Sequence, residues 1–222
     1  MKAIILAGGF GTRLKHILPN TPKPMADING KPFLAVLIDY LQKQGIEEFV
    51  LSTYYLKQQI HDYFENSAHI SFAEEAEPLG TGGAILNSIN KANLSGDVII
   101  INGDTFLELD YRKFMAAHSG NFSIALREVP DTARYGRVNV QDGKVQNFTE
   151  KGVKGKGCIN GGSYIINCEW LKSQNLPQKL SFETDFMIPN IAKIHANYII
   201  ADGYFIDIGI PEDYERAQNE LK

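Results

Sequence analysis

Residues 1–24 constrain this chain most. Lys2-Ala3-Ile4-Ile5-Leu6-Ala7 is an apolar run of buried-strand length, and it stops at Gly8-Gly9-Phe10-Gly11-Thr12-Arg13. A strand that feeds a glycine-rich turn brings backbone N–H groups close to phosphate oxygens. Glycine is needed there because a Cβ blocks close approach and positive φ. Arg13 and Lys23 place positive charge beside the turn, and the prolines on both sides of Lys23 restrict the backbone that carries it. The spacing excludes two common phosphate loops. A dinucleotide fingerprint needs glycine or alanine where Leu14 stands, and a Walker A loop needs Gly-Lys followed by Ser or Thr, which this turn lacks.

Strands and helices then alternate. An Asn29-Gly30 turn precedes Pro32, which opens a helix whose apolar residues Phe33, Leu34, Leu37, Ile38 and Leu41 recur at helical spacing until Gly45. Residues 48–53 read as a strand, 56–64 as a helix and 69–73 as a strand. A second glycine turn, Leu79-Gly80-Thr81-Gly82-Gly83, opens a helix through Ile89. Val98-Ile99-Ile100-Ile101 is a continuous apolar run, the mark of a central parallel strand, and ends at Asn102-Gly103-Asp104-Thr105. Short connections between alternating elements predict an α/β sheet with right-handed crossovers. Later the pattern changes. Residues 111–118 read as a helix and 122–128 as a strand. Residues 136–140 and 144–148 read as a hairpin about Asp142-Gly143, and 157–166 as a strand. Residues 182–194 read as helical, broken or bent at Pro189. Residues 198–201 and 204–208 read as short strands, and 212–221 as a terminal helix. Ligands of open α/β sheets sit beyond the carboxyl ends of the strands, where these turns fall.

Composition narrows the partners. With 222 residues, 44% of them hydrophobic, the chain can bury a core as one domain without staples. A formal charge of -4 and the lack of a basic stretch argue against nucleic acid. No run approaches a membrane span or a signal-peptide core. Cys158 and Cys168 have no metal-ligand spacing and suit a reducing compartment, so a cytoplasmic location is expected.

Asp104 directly follows an apolar run, so its carboxylate lies at a strand's carboxyl end beside the glycine turn. Asp207 sits among apolar residues in Phe205-Ile206-Asp207-Ile208-Gly209. Mg²⁺ is held by a few hard oxygens and completes its octahedron with water and substrate phosphates, so two such acids suffice. A capping role for each aspartate at its turn is the other reading.

Gly-Gly-x-Gly-Thr-Arg-Leu followed by Pro-Lys-Pro resembles the signature of the sugar-1-phosphate nucleotidylyltransferases, the NDP-sugar pyrophosphorylases. The resemblance covers essentially the whole chain. It implies a Rossmann-like, mostly parallel central sheet flanked by helices, with a smaller antiparallel sugar-binding part. The chain would be one nucleotidyltransferase domain, with 1–110 mainly nucleotide-binding and 111–222 mainly sugar-phosphate-binding. Leu6, Ala7, Gly8, Gly9, Gly11 and Thr12 would cradle the nucleotide. Arg13 and Lys23 would act in catalysis with Asp104. Asp104 and Asp207 resemble the family's metal-binding aspartates and imply Mg²⁺ as cofactor; Phe205-Ile206 stands where members often carry Trp. The loop with Glu77, Gly80, Thr81 and Gly82 resembles the family's base-reading loop. A carboxylate accepts two parallel hydrogen bonds, which matches the N1–H and N2–H₂ of guanine and opposes the carbonyls of uracil and thymine. Glu77 therefore favours GTP, unless it is one more solvated acid of Glu74-Glu75-Ala76-Glu77. Gly136, Glu150, Lys151, Asn160 and Gly161 resemble sugar-phosphate contacts. Residues 182–185 resemble members that handle heptose or mannose phosphates. The implied partners are a nucleoside triphosphate and a sugar 1-phosphate, with self-association left open. A non-catalytic sugar-nucleotide-binding protein is the reading from a different class. It would be expected to lose the acids or the signature cations, and all are present. A glycosyltransferase would carry an Asp-x-Asp-like motif, which Gly103-Asp104-Thr105 is not.

Overall fold

The structure, a computed structural model, describes residues 1–221. Its strands, in chain order, are β1 (Lys2–Leu6), β2 (Asp27–Ile28), β3 (Lys31–Pro32), β4 (Glu48–Thr53), β5 (Ile70–Glu74), β6 (Asp97–Asn102), β7 (Thr105–Leu107), β8 (Phe122–Val129), β9 (Val138–Gln141), β10 (Lys144–Phe148), β11 (Gly157–Asn167), β12 (Asn197–Ala201) and β13 (Phe205–Asp207). The helices are α1 (Phe33–Lys43), α2 (Lys57–Phe64), α3 (Gly80–Lys91), α4 (Tyr111–Ala117), α5 (Cys168–Ser173), α6 (Ile188–Ile194) and α7 (Pro211–Glu220).

One nine-stranded sheet runs in the order β5-β4-β1-β6-β11-β8-β12-β10-β9. Its first four strands are parallel. Beyond β6 the pairing turns antiparallel, except that β12 runs parallel to β8. The continuous apolar runs go to the middle because both faces there are covered. Ala3, Ile5, Ile99 and Ile101 pack toward Phe33, Leu34, Leu37 and Leu41 of α1. Ile4, Val98 and Ile100 pack on the other face toward Ile85 and Ile89 of α3. The parallel strands end together, so the turns after β1, β5 and β6 share one edge.

Several segments differ from the sequence reading, among them the short strands β2, β3 and β7. Helix α5 was not expected; it is short and starts where the Asn167 side chain accepts the Trp170 N–H at 3.0 Å. Residues 182–194 do not break at Pro189. A π-helical segment, Phe182–Met187, runs into α6, and the helix type changes directly before Pro189, whose missing N–H cannot donate to the turn before it. Strand β13 leaves the main sheet and pairs with β7 in a two-stranded ribbon. Among the described residues no helix is long and apolar enough to cross a membrane, and both cysteines are free.

Candidate active site

The glycine turn closes tightly on its neighbours. The Ala7 N–H donates to Ser52 O at 2.9 Å, and the Gly103 N–H donates to Leu6 O at 3.0 Å. A Cβ on Gly103 would lie 2.6 Å from that Leu6 oxygen, so only glycine lets the end of β6 approach the end of β1. Gly11, at φ +59°, turns the chain into a 3-10 turn at Thr12–Leu14, whose Leu14 is buried and whose Arg13 is exposed. Gly9, Gly11, Thr12, Arg13 and Lys23 line a cleft with Leu6 and Asp104.

Lys23 lies between Pro22 and Pro24 in a 3-10 turn and is buried. Its Nζ donates to Asp104 Oδ2 at 2.5 Å and stands 3.6 Å from Asp207 Oδ1. The ribbon brings the two acids together across the sequence. Its register sets Asp207 opposite Thr105, and the Ile208 N–H donates to the Asp104 carbonyl at 3.0 Å. Burial raises the Asp207 carboxyl above the ordinary carboxylate range, and the neighbouring Asp104 adds to this; Lys23, Arg134 and Arg13 pull the other way. Asp207 Oδ1 is buried with no hydrogen-bond partner. Gly209 leaves the room for this group, since a Cβ there would lie 2.8 Å from Asp207 Oδ1 and 3.2 Å from Arg13 Nη2. The donor set is two hard carboxylates, one with a buried oxygen that takes no hydrogen bond, which suits Mg²⁺ completed by phosphate and water oxygens. No group of three or more His, Cys, Asp or Glu side chains able to hold a metal occurs among the described residues.

The cleft continues past Gly8, Gly9 and Phe10 to Gly80, Thr81 and Glu75. Glu77 is exposed and does not line the cleft; the inward acid is Glu75. The reason is where the pairing ends. Ala73 and Glu75 are both buried, and the Glu75 N–H still donates to Thr53 O at 2.9 Å, whereas Glu77 lies in the bend after that last bond. Glu75 is 6% exposed; it accepts the Leu79 N–H at 2.9 Å and the Ser52 hydroxyl at 3.2 Å. Burial raises its carboxyl, opposed by those two bonds.

Asn160 and Gly161 lie at an irregularity in β11, where the register to β8 shifts between Asn160 and Ser163. The Asn160 amide donates to the Tyr164 hydroxyl at 2.7 Å, and that hydroxyl donates to Glu183 Oε1 at 3.3 Å. Thr81 donates to Glu183 Oε2 at 2.8 Å. This chain of bonds joins the first turn of α3 to β11, and Glu183 reaches the cleft from the π-helical segment. Gly82 is buried under the Leu180 side chain. Gly136 is buried with φ +85°, and a Cβ there would lie 2.8 Å from Thr149 O. Glu150 and Lys151 stand exposed on the turn after β10. The structure thus gathers Arg13, Lys23, Asp104 and Asp207, links Thr81 to Asn160, and leaves Glu77, Glu150 and Lys151 at the surface.

Glu75 and Glu183 were not singled out from the sequence. For Glu75 the only signal is its place just after β5, blurred by Glu74 and Glu77 in the same acidic run. Known proteins share this arrangement of elements. Residues 2–222 match the family model described as nucleotidyl transferase. A D-glycero-alpha-D-manno-heptose 1-phosphate guanylyltransferase from Aneurinibacillus thermoaerophilus is 44% identical over 228 residues, covering 100% of this chain and 99% of that protein. Its counterpart from Campylobacter jejuni is 44% identical over 218 residues, covering 96% of this chain and 97% of that protein. The crystal structure of HddC from Yersinia pseudotuberculosis superposes with a TM-score of 0.89 at 42% identity, covering 100% of this chain and 99% of that one. The same protein complexed with GMP-PN gives 0.88. The resemblance carried by Gly8–Leu14 and Pro22–Pro24 extends over the full length, and the chain belongs to the nucleotidyl transferase family.

Proposed function

We propose that this enzyme transfers GMP from GTP to D-glycero-α-D-manno-heptose 1-phosphate, giving the GDP-sugar and pyrophosphate. One observation carries the reading: Lys23 bridges Asp104 and Asp207 beside the glycine turn, in a chain 44% identical from end to end to a guanylyltransferase of that heptose phosphate.

The chemistry asks little of a general base. The second pKa of a phosphate monoester is about 6, so the sugar phosphate is largely ionised at neutral pH and attacks the α-phosphorus in line, opposite the leaving pyrophosphate. The difficulty is bringing two anions together, so catalysis is positioning and charge neutralisation. The backbone of Gly8, Gly9, Gly11 and Thr12 cradles the triphosphate. Arg13 and Lys23 offset charge on the departing pyrophosphate. Asp104 and Asp207 would hold Mg²⁺, which when bound neutralises phosphate charge. Glu75, in place of Glu77, accepts the paired donors of guanine above Gly80, Thr81 and Gly82. Asn160, Glu183 and Glu150 offer hydrogen-bond partners to sugar hydroxyls, Gly136 and Gly161 let the backbone approach the sugar, and Lys151 pairs the sugar phosphate as a point charge. The free cysteines fit a cytoplasmic enzyme.

The test is a matrix of GTP, ATP, UTP and dTTP against heptose, mannose and glucose 1-phosphates, scored by pyrophosphate release. GTP with the heptose phosphate is expected to win. Preference for mannose 1-phosphate would change the sugar, and preference for UTP or dTTP would change the base.

A further inference from the structure

Arg134 lies in the connection between β8 and β9, directly before Tyr135-Gly136. Its Nη1 donates to Asp213 of α7, an acid whose side chain is 7% exposed. Its guanidinium carbon stands 4.9 Å from the centroid of the Tyr135 ring, and that ring meets Phe205 of β13 edge-on at 5.9 Å. The side chain is therefore gripped by an acid on one side and an aromatic face on the other. Yet its Nη2 is buried with no hydrogen-bond partner. A buried guanidinium nitrogen without an acceptor is unfavourable unless a ligand or a water supplies one. The nearby Asp207 feels its charge, and Asp207 Oδ1 is likewise buried and takes no hydrogen bond, with Lys23 Nζ 3.6 Å away.

We propose that Arg134 is a pre-set cation for the phosphate of the sugar substrate: Asp213 anchors one edge of the guanidinium and the other is kept for an anionic phosphate oxygen. This deepens the reading of the enzyme as a sugar-phosphate nucleotidylyltransferase and rests on it. The location of Arg134 selects the sugar phosphate over the triphosphate. Its loop is bonded to the turn that carries Lys151, through the Gly152 N–H to Ala133 O at 2.7 Å and the Thr132 N–H to Gly155 O at 3.1 Å. The triphosphate is served by Arg13 and Lys23 on the glycine turn. A planar fork suits this task, because one edge can hold an acid while the other meets phosphate; a lysine ammonium is a point charge that cannot do both equally well.

The experiment compares wild type, Arg134→Met and Arg134→Lys by steady-state kinetics in both substrates, by calorimetric binding of Mg·GTP alone, and by melting. Arg216 also pairs with Asp213, at 3.0 Å, so Arg134→Met does not strand a buried carboxylate. In Arg134→Met, kcat/KM for the sugar phosphate is expected to fall about 10- to 100-fold, while the Kd of GTP stays within about twofold. Arg134→Lys should fold as wild type and recover only part of the loss. Unchanged sugar-phosphate constants in Arg134→Met with an active wild type overturn this inference alone. So does full recovery by lysine, or a parallel loss of GTP affinity and melting temperature, which marks a structural brace. A wild type that joins no nucleotide to any sugar 1-phosphate overturns the parent reading and this one with it.

Discussion

Lys23 donates to Asp104 at 2.5 Å from a site where only 9% of the lysine is exposed. The carboxylate it holds belongs to the acid pair proposed to hold the metal. The same Nζ can therefore neutralise the acids before substrates arrive and phosphate charge afterwards. Lys23→Met keeps the volume and removes the charge. Turnover is expected to fall about 100- to 1,000-fold, the usual loss for one contact to developing charge, with a cooperative melt retained. Pyrophosphate release and thermal melting check it. If only the apparent affinity for the sugar phosphate changes, Lys23 does not serve the leaving group.

The acid pair predicts a metal requirement. Pyrophosphate release should cease in excess chelator and return with Mg²⁺. Asp104→Asn should lose turnover by orders of magnitude and still fold, because the turn around it rests on backbone bonds, the Gly103 N–H to Leu6 O and the Ile208 N–H to Asp104 O. Full turnover with no metal bound would rule out this role, and near-normal activity of Asp104→Asn would reduce Asp104 to a turn residue.

Asp207 predicts a trade between stability and activity. Burial, then Asp104, raises its carboxyl above the ordinary range. The folded, metal-free protein therefore binds more protons than the unfolded chain between the unfolded pKa, about 3.9, and the raised folded value. The contribution to stability is fully present below the unfolded value and is lost as pH rises through the folded one. Asp207→Asn removes the ionisation. At neutral pH the metal-free variant should melt higher than wild type, and the difference should shrink as the pH approaches 3.9. Its turnover should collapse at every pH. A variant that melts lower at neutral pH would mean that Lys23, Arg13 and Arg134 outweigh the burial.

How much of this was legible in the sequence follows from what each signal depends on. The β1 run, the α1 periodicity and the Val98–Ile101 run are local patterns, and the elements formed where they lay. The pairing of Asp104 with Asp207 was legible only as two acids after apolar residues. What joins them is the β7–β13 ribbon: residues 204–208 read as a strand, but the three residues of β7 carry no alternation long enough to show its partner. Arg134 and Asp213 gave no signal, because their meeting depends on how α7 folds back against the β8–β9 connection. The acidic run Glu74-Glu75-Ala76-Glu77 carries no mark that separates Glu75 from Glu77. What separates them is where the pairing of β5 with β4 stops: the Glu75 N–H makes its last bond, to Thr53 O, and Glu77 lies in the bend beyond.

That two-residue difference yields the sharpest prediction. Glu75 is 6% exposed and keeps acceptor capacity beyond the bonds it takes from Leu79 and Ser52, whereas Glu77 is in solvent. GTP should be preferred over UTP, dTTP and ATP. The pyrimidines set carbonyls against the carboxylate, and adenine offers an acceptor at N1 where guanine offers a donor. Leaving a buried polar group unpaired discriminates steeply. Glu75→Gln should lower the preference for GTP and admit UTP, since glutamine can donate to a carbonyl, and Glu77→Gln should leave the preference unchanged. The raised carboxyl of Glu75 adds a pH signature. Its ionised form is the one that accepts from guanine, so GTP affinity should weaken as pH falls through that raised value, at a higher pH than an exposed glutamate would set. The weakening should be absent in Glu75→Gln. Competition of GTP against the other triphosphates, run on both variants and on wild type, gives the answer. If Glu77→Gln shifts the preference and Glu75→Gln does not, the exposed acid is the reader, and the loop must fold inward when nucleotide binds. If neither shifts it, the base is read by backbone groups, and Glu75 is only the brace that holds Leu79 and Ser52.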